Sequence, residues 1–386
     1  MNSAKWGFQT RLIHAGEPIP KVEGAVVLPI FQSSTYLFGG ESRYEDLRYI
    51  RLNNSPNHRA LHEKLANLEG GEAGLAASSG MAAISTALLS LVGSGDHILA
   101  QSGLYGGAHD LLTRDFPELG IESDFFDAAD PKDLERLLRP TTRLVYVESI
   151  SNPLMRVPDF EAIVDFTRRH GLAAVVDNTF PSPFNFRPLE WGFDLALHSA
   201  TKYLNGHSDV VAGAAIGSRE RIESMNRKLI HFGGCLDPHA CFLLQRGLKT
   251  LALRVQHQNA SAQCVAEALS AHPAVESVHY PGLDSHPERP RAARFFRGCG
   301  GMLSFELKGG AETADRFMKR LQLAAIAPSL GGVETLVTRP AATSHSGLSA
   351  SDRERFGIGD GLIRMSIGIE DAEDLLLDLQ GALKEL

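Results

Sequence analysis

The chain is 386 residues long, 43% hydrophobic and 22% charged, with 38 Lys plus Arg against 46 Asp plus Glu and a formal net charge of −8. At roughly 100–200 residues per domain this predicts two or three globular domains with sizeable cores, and an acidic balance with no basic run argues against nucleic acid or anionic membrane as partners. No apolar stretch approaches the ~20 residues of a transmembrane helix, residues 1–16 lack the apolar stretch of a signal peptide, and Cys235, Cys241, Cys264 and Cys299 form no CxxC pair, so the expectation is a cytoplasmic protein with reduced thiols, no disulfide framework and no metal.

Residues 1–55 carry scattered Gly, Pro and Ser without periodicity, and are expected to form an N-terminal arm reaching a neighbouring subunit. From Arg59 the pattern turns helical, with Leu61, Leu65 and Leu68 on one face and Gly70-Gly71 as the stop. A repeated unit follows: apolar strand, small-residue turn, helix. Leu75-Ala76-Ala77 leads through Ser78-Ser79-Gly80 into a helix with Ile84, Leu88 and Leu91 on one side. Further strands are predicted at His97–Gln101, Leu144–Glu148, Ala173–Asn178 and Leu195–Ala200, and the helix carrying Ile163, Val164 and Phe166 ends at Gly171. Strands alternating with helices indicate an α/β fold, a mostly parallel sheet with helices on both faces. Residues 56–250 are assigned to this first α/β domain. Residues 251–386 read as a smaller C-terminal α/β domain: a long helix from Leu251 to about Ala271, strands at Gly301–Leu307 and Leu362–Ile369, and a last helix with Leu375, Leu379, Leu383 and Leu386 aligned. In the second strand Arg364 and Ser366 share one face, opposite Ile363, Met365 and Ile367.

Three features carry chemistry. Lys202 in Ser199-Ala200-Thr201-Lys202 falls just after a strand, where α/β sheets place their ligands, and the Ser199 and Thr201 hydroxyls are positioned to face an anion together. Taken alone, Lys202 reads as a solvated surface lysine. Asp177 ends the apolar run Val175-Val176; alone it reads as a cap or loop carboxylate, but a carboxylate there is costly unless a cation meets it. Ser78-Ser79-Gly80-Met81 opens a helix whose first amides suit a phosphate, and is also an ordinary strand–helix connection. In this chain order the three match a pyridoxal phosphate site: phosphate cradle, partner for the pyridine nitrogen, Schiff-base lysine.

At this point the chain resembles the Cys/Met-metabolism pyridoxal phosphate enzymes, the group of cystathionine γ-synthase, cystathionine γ- and β-lyases, methionine γ-lyase and O-acylhomoserine sulfhydrylases. The resemblance runs through TRLIHAG (10–16), SSGMAAI (78–84), LYGG (104–107), VDNTF (176–180), SATKYLNGHSD (199–209), RGLKTL (246–251), SLGGVETL (329–336) and LIRMSIGIED (362–371). It implies the aspartate-aminotransferase-like fold (fold type I), usually a homotetramer built as a dimer of dimers. It further implies that Lys202 is the Schiff-base lysine and Asp177 the partner of the pyridine nitrogen. Gly80 and Met81 amides with Ser199 and Thr201 hydroxyls hold the phosphate, and Tyr105 stacks on the ring and acts as acid or base. Arg364, with Ser329 and Asn152, grips the α-carboxylate of an amino-acid substrate, and Tyr49 and Arg51 reach the phosphate of a neighbouring subunit.

The departures bear on substrate. One residue is inserted in Tyr49–Pro56 relative to the family's Tyr-x-Arg-x-x-Asn-Pro, Leu52 stands where γ-synthases tend to carry Arg, and Pro328 stands where cystathionine enzymes often carry Glu. Both Leu52 and Pro328 are expected near the distal end of the substrate. Gly107 replaces the Cys that methionine γ-lyases place two residues after the stacking Tyr. Two uncharged residues favour a γ-lyase acting on a sulfur-containing or related γ-substituted amino acid, releasing a 2-oxo acid and ammonia. A γ-replacement transferase and then a β-lyase are the alternatives, since they share the same catalytic set.

Overall fold

The computed structural model describes residues 6–343, 353 and 357–384. The first long helix, α1 (Pro56–Glu69), starts earlier than its periodicity indicates. Ser55 caps it by accepting from the His58 amide, Pro56 occupies the first turn where a missing N–H costs nothing, and Gly70 closes it at φ 79°. Part of the segment before α1 is fastened to it. Lys64 is fully buried, and its ammonium donates to the carbonyls of Leu12 (2.8 Å) and Ile13 (3.2 Å).

The larger sheet has seven strands: β1 (Ala73–Ala77), β2 (His97–Gln101), β3 (Glu122–Phe126), β4 (Thr142–Glu148), β5 (Ala173–Asp177), β6 (Leu195–His198) and β7 (Gly213–Gly217), in the order β1-β7-β6-β5-β4-β2-β3. Only β7 runs against its neighbours. The expected mostly parallel sheet is therefore present. Its middle strands are buried on both faces, which explains their unbroken apolar runs. Val145, Val147, Ala174 and Val176 enter one core, with Leu61 and Leu65 of α1 and Phe160 and Ile163 of α3 (Phe160–His170). Leu144, Tyr146, Ala173 and Val175 enter the other, with Ile84 and Leu88 of α2 (Gly80–Leu89) and Met225 and Leu229 of α4 (Arg219–Phe232).

The second sheet has five strands, β8 (Val275–His279), β9 (Met302–Leu307), β10 (Ala325–Ile326), β11 (Leu336–Thr338) and β12 (Leu362–Ser366), ordered β10-β11-β12-β9-β8. Ile363 and Met365 face its core while Arg364 and Ser366 lie on the other side, as the alternation predicts. The C-terminal helix α6 (Ala372–Leu383) buries Leu375, Leu379 and Leu383; Leu386 lies outside the described residues. Sequence periodicity misses β3, β7, β8, β10 and β11. The β3 stretch, ESDFF, is half polar, β7 (GAAIG) is bracketed by glycines, and β10 and β11 are too short to show a period.

One helix belongs to both bodies. α5 (Leu251–Ser270) places Leu251 and Val255 in the first core and Ala262, Val265 and Leu269 in the core of the second sheet. Arg254 pins it. This side chain is 4% exposed and donates to the carbonyls of Tyr203 (2.9 Å), Gly247 (2.9 Å) and Leu204 (3.5 Å) and to Thr250 Oγ1 (3.0 Å). Burial lowers its pKa to about 10, which leaves it charged at neutral pH. Arg254→Leu strands those carbonyls without a donor. The expected loss is about 2–4 kcal/mol, read as a lower urea midpoint at unchanged slope.

Candidate active site

Because most strands of the large sheet are parallel, the ends of β4, β5 and β6 lie at one edge, and their last residues meet the turns that follow. There a cavity of about 690 Å³ opens, walled on its other side by the 328–330 segment and Arg364 of β12. All but two of the site residues expected from the sequence line it: Gly80, Met81, Tyr105, Asn152, Asp177, Ser199, Thr201, Lys202, Ser329 and Arg364.

Lys202 sits in the turn after β6, and its Nζ donates to Ser329 Oγ at 2.7 Å. Burial, reinforced by the nearby Arg364 guanidinium, lowers its pKa to about 8. Ser329 is a non-glycine residue at φ 99°, a strained conformation that persists only where the surroundings over-determine it. That backbone turns the Ser329 hydroxyl to Lys202 and its carbonyl to Arg364 Nη2 at 3.2 Å.

Arg364 is 6% exposed, and its other contact is Asn152 Oδ1 at 3.2 Å from Nη1. Among the described residues no carboxylate pairs with it. Burial lowers its pKa to about 10. A buried guanidinium holding only neutral acceptors is able to bind a carboxylate.

Asp177 ends β5 and accepts at Oδ1 from the Thr179 amide (3.0 Å) and the Thr179 hydroxyl. Burial raises its pKa, and the Thr179 donors and His198 oppose that rise. No cation forms an ion pair with it among the described residues. A protonated ring nitrogen against its free oxygen would supply the missing charge, so the pyridoxal phosphate expected from the sequence fits here. Thr179 was not singled out in the sequence. Its hydroxyl also accepts from the Ser199 amide (2.8 Å) and so ties the Asp177 turn to the Lys202 turn.

The phosphate end fits as well. Ser79 caps α2 by accepting from the Ala82 amide (3.0 Å), which leaves the Gly80 and Met81 amides without a partner among the described residues. A Cβ on Gly80 would stand 2.9 Å from Ser199 Cβ and Oγ, so only glycine lets the helix start meet the Ser199 turn. β6 ends at His198, short of the predicted Ala200, and places Ser199 and Thr201 in a turn rather than on an alternating strand. There Thr201 Oγ1 donates to the Ala212 carbonyl (3.1 Å) and accepts from its amide (3.0 Å).

Tyr105 precedes the short helix Gly106–Asp110, with its ring 48% exposed and its amide donating to Glu148 Oε1 at 2.7 Å. The glycine at 107 has a steric cause: a Cβ there would lie 2.7 Å from Tyr105 Cε1 and 3.0 Å from Met81 Sδ. Glu148 also lines the cavity and was not singled out, although it ends the run LVYVE much as Asp177 ends AAVVD.

Tyr49 and Arg51 lie elsewhere. They line a separate hollow of about 430 Å³ with Tyr36, Phe38 and Tyr44. Arg51 donates to the Ile230 carbonyl (3.0 Å) and to the Tyr44 hydroxyl, and its Cζ lies 5.6 Å over the Tyr49 ring. The Tyr49–Pro56 segment contains a tight turn, Ile50–Leu52, closed by Asn53 at φ 60°. This turn carries Leu52 into the same hollow, 3% exposed, while Pro328 lines the Lys202 cavity. Within one chain, therefore, only Pro328 of the two expected specificity positions meets the site. Among the described residues there is no metal-ligand cluster and no helix long and apolar enough to cross a membrane.

Residues 9–384 match the family model described as Cys/Met metabolism PLP-dependent enzyme. The chain is 42% identical over 393 residues to the L-methionine gamma-lyase of Porphyromonas gingivalis, covering 98% of each. It is 42% identical over 379 residues to the cystathionine gamma-lyase of Bacillus subtilis, covering 98% of this chain and 99% of that one. The crystal structure of MetB from Corynebacterium glutamicum superposes with a TM-score of 0.95 at 36% identity, covering all of both chains.

The Lys202 environment has a chemical consequence. With a pKa of about 8, half of its side chains are neutral at pH 8, whereas an ordinary exposed lysine is neutral in well under ~1% of molecules. A small aldehyde with borohydride, applied to the apoprotein at pH 8, should label Lys202 about a hundredfold faster than exposed lysines. Peptide mass mapping checks this. Lys64 has a similarly lowered pKa but no exposure, and should stay unlabelled.

Proposed function

Because the chain belongs to the Cys/Met-metabolism family of pyridoxal phosphate-dependent enzymes, we propose that it is a γ-lyase: it acts on a sulfur-containing or related γ-substituted amino acid and releases a 2-oxo acid and ammonia. The observation that carries this reading is the Ser329-bridged pair of cations, a half-buried Lys202 with a lowered proton affinity and a buried Arg364 without a carboxylate partner, in one cavity. An α-amino acid complements both, with its carboxylate on Arg364 and its α-carbon near Lys202.

Bound pyridoxal phosphate supplies an electron sink for the pair left when the Cα–H bond breaks. Gly80 and Met81 amides with the Ser199 and Thr201 hydroxyls would hold its phosphate, Tyr105 would cover one face of the ring, and Asp177 would keep the ring nitrogen protonated. Arg364 orients the α-carboxylate as a two-pronged clamp, with Asn152 and the Ser329 carbonyl fixing its plane. Lys202 would hold the cofactor through its carbonyl carbon and, as a free amine, would take the α-proton, a task suited to an amine whose pKa lies near 8. Tyr105 would exchange a proton with the leaving sulfur. At the wall opposite the cofactor residues Pro328 offers no charge, which favours an uncharged side chain beyond Cγ. The decisive assay offers methionine, cystathionine, homoserine esters and cysteine, and measures 2-oxo acid and ammonia. Equal release of both from a γ-substituted thioether, abolished in Lys202→Ala, supports the reading. Turnover only when a thiol is added to a homoserine ester rejects it.

The site is shared between subunits in this reading. Residues 1–55 form the arm, residues 56–250 the cofactor domain and residues 251–386 the C-terminal domain of a cytoplasmic homotetramer built from two dimers. Arg51 and Tyr49 stand outside their own chain's cavity, beside an arm whose Leu37 and Phe38 are 97% and 73% exposed, apolar surface of the kind a partner covers. Mixing Arg51→Ala with Lys202→Ala subunits tests this. If Arg51 serves the neighbour's phosphate, a mixed dimer has one site with both defects and one intact. Activity should recover to about a quarter of wild type from two poorly active parents. No recovery with subunit exchange verified assigns Arg51 to its own chain.

A further inference from the structure

Glu148 and Asp177 are register partners on adjacent parallel strands, so both side chains leave the sheet on the same face at the same level. Strand spacing sets their backbones about 4.8 Å apart. Glu148 is buried and Asp177 half-buried, both line one cavity, and among the described residues neither has an ion pair. Tyr146, two residues before Glu148 on the same face, is fully buried with an unpartnered hydroxyl, and both carboxyl groups resist its ionisation. Two carboxylates so placed disfavour each other's ionisation, which favours a proton on one of them.

The donors decide which. Asp177 Oδ1 accepts two hydrogen bonds from Thr179, and His198 adds favourable charge. Glu148 accepts one, from the Tyr105 amide at 2.7 Å. The better-solvated anion is Asp177. Resting on the cofactor-site reading above, we propose that Glu148 is the proton-holding member of a carboxyl–carboxylate pair with Asp177 and, as a neutral acid accepting the Tyr105 amide, the positioning residue for Tyr105. Asp177 is thereby left as the single anion facing the ring nitrogen. The direction of titration agrees: burial, then Asp177, pushes Glu148 up to about 8. The other ionisable groups around the cavity are Lys202, Arg364 and Tyr105, with Tyr146 behind Glu148 and His198 beside Asp177.

The sign of the pH effect follows. The folded chain keeps a proton on Glu148 that the unfolded chain releases above about pH 4.3, so this group's contribution to stability falls as pH rises from there to about 8. Glutamine mimics the protonated acid and removes that fall. The test compares wild-type, Glu148→Gln and Glu148→Ala holoenzymes. The Tm of Glu148→Gln relative to wild type should increase steadily between pH 5 and pH 8. Its kcat/KM should exceed that of Glu148→Ala by about tenfold, with visible circular dichroism of the bound cofactor, which reports the Tyr105 stack, retained in Gln and reduced in Ala. The alkaline limb of the wild-type kcat profile should move in Glu148→Gln. Gln as damaged as Ala, or a Tm difference flat with pH, overturns the assignment. If the wild type held no cofactor, the reading of the site would fail instead, and the Tm comparison would still decide where the proton resides.

Discussion

Every feature of the active-site region follows from gathering buried ionisable groups at one sheet edge without giving them counter-ions in the chain. Lys202 and Arg364 are cations, Asp177 is an anion, and Glu148 completes the set, all lining one cavity. Such burial costs folding free energy unless charge is matched. Matching partners inside the chain would have been easy to supply, since surface arginines and carboxylates pair throughout the rest of the molecule. Here they are withheld. Hydrogen bonds with neutral groups, accepted by Ser329 and Asn152 and donated by Thr179, take their place and keep the charges available. The missing counter-charges are those that a phosphorylated pyridine cofactor and an amino-acid carboxylate bring.

The architecture makes this arrangement possible. Parallel strands bring β4, β5 and β6 to end together, so that residues far apart in sequence become register neighbours. The second sheet contributes Arg364 from across the cavity. α5 packs in both cores, and Arg254 ties its first turns to the carbonyls just after Lys202. The position of Lys202 is thus coupled to the body that carries Arg364. Ser329 completes the coupling through a strained backbone that addresses Lys202 and Arg364 at once.

The departures from the family pattern acquire physical meaning only in three dimensions. At Gly107 a side chain would meet the Tyr105 ring and Met81, so a larger residue there requires those side chains to shift. The segment before Pro56, one residue longer than the family pattern, forms a tight turn and still presents Ser55 as the helix cap. Leu52 and Pro328, which look equivalent in sequence as uncharged replacements, are separated: one is buried in the arm's hollow and the other faces the cavity.

Much of this was legible in the chain alone. Apolar runs ending in Asp177 and preceding Lys202, the Ser79-Gly80 helix start and the alternation around Arg364 are local patterns, and local patterns survive folding because period and capping depend only on near neighbours. Those residues do converge. What sequence could not supply is whatever depends on register between strands. Glu148 was read as the end of one strand, but that it lies level with Asp177 is a property of how β4 and β5 align. Thr179's two-sided role, the strain at Ser329 and the placement of Arg51 outside its own cavity are likewise relations between distant segments. Residue types and spacing determined which groups this protein possesses; tertiary structure alone decided which of them share a proton, a counter-charge or a wall, because those interactions act across space rather than along the chain.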